Sequence, residues 1–275
     1  MTTVTDNGLK VLDGGQLRLL RAVDAVFRRL GDGWGAAEFR FPFLLRTRDL
    51  DTFDYYDNFP HLGLAAARLD PDRVGPLLAA ESRPLAQVPA DVMRPAEFAL
   101  PSAACYAIYL DLAGSVLPAG GVLRTTLGTC FRNEDHYDGL QRLLGFSMRE
   151  IVFIGQEEGA KQHLGRAKEA VLALMAELGL EVKLEVATDP FFDKNSGKAK
   201  MQRLFPVKEE FVVDGLAIGS VNYHRNFFGE RCDIQAGDDT AHTSCLAFGV
   251  ERWVHTLTAR FGSVEAALSA VESLG

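Results

Sequence analysis

At 275 residues, 47% of them hydrophobic, the chain has enough apolar material to fill the core of one large domain. Its formal net charge of −8 argues against an affinity that rests on a general basic surface for nucleic acid phosphates, and no apolar run approaches the roughly 20 residues of a membrane-spanning helix. Four widely spaced cysteines, at 105, 130, 232 and 245, do not read as a disulfide framework; with no secretory leader at the N-terminus, a cytoplasmic location is expected.

No internal repeat or low-complexity linker divides the sequence, so one domain over 1–275 is expected, with an irregular insertion around 68–100 that carries five prolines. Leu17, Leu20, Val23, Val26, Phe27 and Leu30 fall at helical spacing, which predicts a helix over 15–30 stopped by Gly31. The alternation Phe39, Phe41, Phe43, Leu45 around Pro42 predicts a strand over 38–45, confined by its proline to an edge or a bulge. Segments 121–132 and 143–155 flank a polar loop and read as an antiparallel pair; a helix over 157–178 ends at Gly179, and 180–187 returns as a strand. Segments 210–213 and 216–224 are joined by Asp214-Gly215, a dipeptide suited to a tight hairpin turn. Residues 249–261 are amphipathic and helical. Strands that neighbour one another through hairpins, with helices set apart, give an α+β fold: an antiparallel sheet flanked by helices, with no glycine-rich phosphate loop.

Chemistry concentrates at the ends of these strands. Thr129-Cys130-Phe131-Arg132-Asn133-Glu134 closes one strand with an arginine and, two positions on, a glutamate; Gly249-Val250-Glu251-Arg252 opens the late helix with a second arginine. Alternate side chains of a strand share a face, so Gly128, Cys130 and Arg132 lie together, as do Phe146, Met148, Glu150 and Val152. An arginine and an aromatic can thereby bracket a flat base and its phosphate. An isolated R-x-E is more often a weak surface ion pair; the informative feature is the assembly of strand, R-x-E, polar loop, aromatic, strand and later G-x-x-R. Cys105, Glu150 and Cys245 are the residue types of a three-ligand zinc site with one open position, although each cysteine alone reads more often as a small buried hydrophobe. Glu150 sits in an apolar strand, where an unpaired charge costs several kcal/mol, so it calls for a partner; Arg149 lies on the opposite face.

The R-x-E and G-x-x-R segments resemble motifs 2 and 3 of the class II aminoacyl-tRNA synthetases. Cys105, the F-R-N-E segment, the run 146–155, Thr188-Asp189-Pro190-Phe191-Phe192, Asn222-Tyr223-His224 and Cys245 before G-V-E-R resemble more closely the amino acid:carrier protein ligases, bacterial relatives of the catalytic domain of the zinc-dependent, archaeal type of seryl-tRNA synthetase. The resemblance spans roughly 30–262 and implies activation of glycine or alanine to an aminoacyl adenylate, then transfer to the phosphopantetheine thiol of a carrier protein. It implies zinc on Cys105, Glu150 and Cys245; Arg132 between the substrate carboxylate and the α-phosphate; Arg252 on the γ-phosphate; Glu134 on the adenine amino group; and Phe146 stacked on the ring, with Mg2+ accompanying the ATP. Asp189 would reach the ammonium or line the side-chain pocket, or else it begins a turn. A homodimer through the 39–45 strand is expected, and no tRNA partner. Lys194, Lys198, Lys200 and Arg203 form the best basic patch for an acidic carrier, although such a cluster is more often a solvated loop. His136, His163 and His255 read as surface or structural, Cys130 and Cys232 as structural, and His224 and His242 lie near the site without an assigned role. Two further readings stay open: a compact tRNA-charging enzyme, and a catalytically silent synthetase paralogue serving as a binding subunit.

Overall fold

The computed structural model describes residues 8–79, 84–193, 195–204 and 207–274. Helix α1, Gly14–Gly33, starts at a capping box: Asp13 Oδ1 accepts the Gln16 N–H at 2.9 Å and Gln16 Oε1 accepts the Asp13 N–H at 3.2 Å. It runs past the predicted stop. Gly31 is a buried residue facing Ile151, and the chain turns instead at Gly35, whose φ of +81° is left-handed.

Seven strands form the main sheet: β1 Ala37–Glu38, β2 Val122–Phe131, β3 Gly145–Gly155, β4 Lys183–Ala187, β5 Lys208–Val213, β6 Leu216–Arg225 and β7 His242–Gly249. Their spatial order is β1-β2-β3-β7-β6-β5-β4, and every pair is antiparallel except β1 with β2. The expected α+β fold is present. The β2–β3 ladder is unbroken from Val122 opposite Ile154 to Phe131 opposite Gly145, and Asp214 and Gly215, with φ of +49° and +80°, make the predicted hairpin turn between β5 and β6.

Two expectations need correction. The strand over 38–45 does not form: β1 stops at Glu38, and Leu45–Arg46 joins a separate three-stranded sheet with Leu64–Ala66 and Phe98–Leu100. Pro42 has no N–H to give a ladder, and the alternating phenylalanines are partly solvated, with Phe43 60% exposed. The strand over 180–187 begins only at Lys183. Within 68–100 the described residues hold the short helix Gly75–Leu78 and the turn Ala90–Val92.

The sheet's two faces bury different things. On one, α1, α3 (Glu157–Glu177), α4 (Val250–Phe261) and α5 (Val264–Glu272) pack a core that includes Ile151, Phe211, Leu246, Phe248 and Trp253. On the other, α2 (Tyr106–Asp111) and the helix Phe227–Cys232 close over Val152, Ile154, Cys105 and Cys245. Helix α5 went unpredicted because its apolar stripe is short. Arg149, 1% exposed, points to the α1 side: Nε and Nη2 donate to the Asp24 carboxylate at 2.7 and 2.8 Å, and Nη1 donates to Glu38 at 2.7 Å. That triad fastens α1 and β1 to β3.

His163 is a buried structural residue. Its Nδ1 is 2.9 Å from Ser244 Oγ, its Nε2 has no hydrogen-bond partner, and burial pulls its pKa down to about 4. A histidine depressed on folding stays neutral in the native state while the unfolded chain takes up a proton below about 6.5, so its contribution is present above that pH and is lost as pH falls towards 4. In urea titrations across pH 4–7, His163→Gln is expected to show a shallower decline of stability on acidification than the parent protein.

Candidate active site

The segment 101–105 runs along the ends of β2 and β3 and organises the site. Pro101 O accepts the Phe131 N–H at 2.8 Å, and Ser102 O accepts both Nε and Nη2 of Arg132 at 3.2 Å. The Ala104 and Cys105 N–H groups donate to Glu150 Oε1 at 2.8 and 3.0 Å. Close approach here depends on Gly128, where a Cβ would meet the Ala104 Cβ at 2.7 Å.

Arg132 leaves the end of β2 with its guanidinium carbon 5.1 Å from the centre of the Phe146 ring, a direct cation–π contact. Glu134 accepts from Arg142 Nη1 at 2.5 Å. Arg252, in the first turn of α4, donates from Nε to Gln141 O at 2.7 Å and from Nη1 to Ala217 O at 2.8 Å. Its neighbour Glu251 accepts the Ser147 N–H with both carboxylate oxygens, which pins the start of α4 to β3. Burial, and then the Arg132 and Arg142 charges, lower the Arg252 pKa. Arg132, Glu134, Arg142, Phe146 and Arg252 thus line one cavity of about 90 Å³. Three guanidiniums therefore share this cavity with Glu134, Glu210 and Glu251.

A larger cavity of about 420 Å³ adjoins it and shares Arg132, Met148, Lys208, Ser220 and Ala247. Here the structure brings Cys105, Glu150 and Cys245 together. Glu150, 1% exposed, is pushed up to about 8 by burial and by Cys245, against the pull of its hydrogen bonds from Cys105 and Ala104. The Cys105 thiol is held protonated by its hydrogen bond to Cys245 and by burial; Cys245 is correspondingly lowered, first by Cys105 and then by His224 and Asn222. Asn222 Nδ2 donates to Cys245 Sγ at 3.3 Å, and His224 Nε2 stands 3.8 Å from it. Among the described residues no group of three or more His, Cys, Asp or Glu side chains is arranged to hold a metal ion.

Asp189 lines the larger cavity with its carboxylate engaged, accepting from Gln202 Nε2 at 2.8 Å and lying 3.7 Å from Lys208 Nζ. Cys130 and Cys232 are buried thiols raised by burial, His136 is an exposed partner of Asp135, and His242 pairs with Tyr223. In the basic patch, Lys200 is exposed, while Lys194 and the side chains of Lys198 and Arg203 lie outside the described residues. Sequence reasoning missed Arg142, and it singled out Asn222 and His224 without giving either a role. Asn222 and His224 share a face of β6, and the β6–β7 register places Asn222 opposite Cys245.

Comparison with known proteins places the architecture first. The chain superposes on Methanopyrus kandleri seryl-tRNA synthetase, solved with A. aeolicus tRNASec, with a TM-score of 0.82 at 20% identity over 99% of this chain and 58% of that one. It superposes on the Pyrococcus horikoshii seryl-tRNA synthetase complexed with ATP with a TM-score of 0.68 at 13% identity, over 94% of this chain and 54% of that one. The fold is that of the class II aminoacyl-tRNA synthetases, and the chain spans little more than half of each synthetase. No family model matches the sequence. It is 33% identical over 229 residues to amino acid–acyl-carrier-protein ligase 1 of Bradyrhizobium diazoefficiens, covering 79% of this chain and 69% of that protein. The chain belongs to the amino acid–acyl-carrier-protein ligase family and is an enzyme of the ligase class.

Gly128→Ala is expected to displace the Ala104-Cys105 segment while leaving Arg142 and Arg252, which that segment does not hold, in place. The KM for the amino acid should rise by on the order of 10²-fold, the scale of an ångström of misplacement, with the KM for ATP little changed. Steady-state kinetics with each substrate varied in turn check this.

Proposed function

We propose that the chain activates an amino acid with ATP and passes the acyl group to the phosphopantetheine thiol of a carrier protein. The observation that carries this is the junction at Arg132: one guanidinium belongs both to a three-arginine cavity suited to a triphosphate and to a cavity lined by two thiols and a buried carboxylate. The nucleotide occupies the first, with Phe146 against the adenine, Glu134 accepting from its amino group and Arg252 on the γ-phosphate. Arg132 turns from Ser102 O to hold the amino acid carboxylate beside the α-phosphate. A carboxylate oxygen attacks the α-phosphorus and pyrophosphate leaves; Arg132 offsets the charge that builds on the phosphoryl oxygens. The carrier thiolate then attacks the acyl carbonyl, forming the thioester and releasing AMP.

Zinc suits the other end by the chemistry of its donors. Glu150 and Cys105 are buried acids whose protons are held by burial and by the neighbouring Cys245, and a divalent cation would replace those protons. Held by Cys105, Glu150 and Cys245, it would supply an open position for the α-amine and fix its orientation. His224 and Asn222 would steady Cys245 from outside. Mg2+ would accompany the ATP phosphates, with the Glu210 carboxylate, now paired with Lys208 at 3.0 Å, on the wall of that cavity. Asp189 lines the amino acid cavity, for which the family resemblance implies glycine or alanine.

We read 1–275 as one catalytic domain acting as a homodimer in the cytoplasm, supported by the exposed Phe39 and Phe43 and by four free thiols. Among the described residues no helix is long and apolar enough to cross a membrane. The net charge of −8 counts against tRNA as acceptor.

Amino-acid-dependent ATP–pyrophosphate exchange tests adenylation directly. Cys245→Ala is expected to lose bound zinc and exchange together; exchange that persists in metal-free protein rejects the zinc assignment. Arg132→Ala should lower exchange by on the order of 10²–10³-fold with zinc content, measured by atomic absorption, unchanged. Thioester formation on a phosphopantetheinylated carrier, but not acylation of tRNA, identifies the acceptor.

A further inference from the structure

Resting on the reading of the smaller cavity as the nucleotide site, we infer that Tyr137 and Gly8 are positioning residues for recognition of the nucleobase. Gly8 seats Tyr137, and Tyr137 holds Glu134 where its carboxylate can accept from the adenine amino group. Neither residue lines the cavity itself. Gly8 also precedes the span of roughly 30–262 over which the chain resembles the ligases, so that resemblance gives it no role.

Glu134 lies near the start of the loop between β2 and β3, and its N–H donates to Tyr137 Oη at 3.3 Å. The loop then closes on itself: the Asp138 and Arg142 backbones exchange two hydrogen bonds at 3.0 Å, and Arg142 Nη1 reaches the Glu134 carboxylate at 2.5 Å. Backbone and carboxylate of Glu134 are thus both placed by loop residues outside the main sheet. The segment ahead of α1 fixes that loop in turn. Gly8 is buried against both of its arms. Its carbonyl accepts the Leu144 N–H at 2.9 Å, and Leu144 O accepts the Arg132 N–H of the opposite arm at 2.9 Å. A Cβ at Gly8 would stand 2.4 Å from Tyr137 Cδ1 and 2.6 Å from Leu144 N, and its φ of +70° is left-handed, so glycine is required there. Leu12 packs against the same core that buries Leu140 and Leu143, which anchors the segment beside the loop. A loop ordered before the nucleotide arrives loses less entropy on binding, and a carboxylate that must meet one exocyclic amine tolerates little displacement.

Calorimetry with magnesium ATP and with purine riboside triphosphate, which lacks the adenine amino group, reads recognition without turnover when no amino acid is present. The parent protein is expected to bind ATP about 10-fold more tightly or better, the scale of a polar group left without its hydrogen bond. Tyr137→Phe keeps the ring on Gly8 and removes the oxygen that accepts the Glu134 N–H. Its preference for ATP should fall by about 5-fold or more, with the affinity for purine riboside triphosphate and the melting temperature little changed. Gly8→Ala should lose the preference in the same way; where it fails to fold, Tyr137→Phe carries the test alone. A preference that survives in Tyr137→Phe overturns the inference, and so does an equal loss of affinity for both nucleotides, the mark of a purely structural role. A parent protein without any preference takes Glu134 off the adenine and overturns the inference with it. ATP–pyrophosphate exchange with glycine and alanine on the parent protein reads the proposed function separately: exchange alongside an unchanged preference in Tyr137→Phe overturns this inference alone, whereas a parent protein that binds neither nucleotide overturns both.

Discussion

Everything at the site depends on how a carboxylate is buried in the middle of β3. Glu150 stands at 1% exposure in a strand whose next four residues are also buried, where an unsatisfied carboxylate costs several kcal/mol. Its hydrogen bonds from the Ala104 and Cys105 N–H groups answer that cost and dock the 101–105 segment against the sheet. Once docked, the segment puts Cys105 beside Cys245, offers Ser102 O to Arg132, and takes the Phe131 N–H on Pro101 O. Gly128 is the steric condition: any side chain there would occupy the space of Ala104. One buried carboxyl group thus sets the relative position of the proposed amine and carboxylate anchors.

The adjacent residue divides the labour of the strand. Arg149 faces the helical layer, and its pairs with Asp24 and Glu38 tie α1 and β1 to the strand that carries Glu150. Two charges of opposite sign, next to each other in sequence, are kept apart by the strand alternation, and each is satisfied by a different layer. The sheet between them acts as a rigid mount, which suits a site whose groups must hold amine, carboxylate and phosphate within a fraction of an ångström.

The parts of this arrangement that sequence exposes are those governed by local periodicity. The β2–β3 pair, the Asp214-Gly215 hairpin and the grouping of Phe146, Met148 and Glu150 on one face follow from a period of two and from turn chemistry. The strand expected over 38–45 failed because alternation of phenylalanines measures amphipathicity, not pairing, and Pro42 removes the N–H a ladder would use. Gly31 failed as a helix stop because a glycine buried against a neighbouring strand serves packing as readily as capping. A role for Asn222 and His224 was out of reach for another reason: their value lies in the β6–β7 register, a non-local pairing that no window of sequence contains. Arg142 belongs to the same class, since its bond to Glu134 closes a loop whose conformation is tertiary.

The charge distribution bears on the acceptor as well as on the nucleotide. A chain of net charge −8 gathers Arg132, Arg142 and Arg252 around a cavity of about 90 Å³, which concentrates positive potential on a few phosphates and leaves little for a long polyanion. Binding a tRNA rests on many phosphate contacts, each releasing counterions, whereas a phosphopantetheine arm presents a single phosphate and a slender chain. The described residues at the rim of the larger cavity, among them Lys208 and Arg225 with the half-exposed Met201, offer few cations and some apolar surface. On the proposed reading, that balance suits one phosphate and a narrow arm better than it suits a folded nucleic acid at the same entrance.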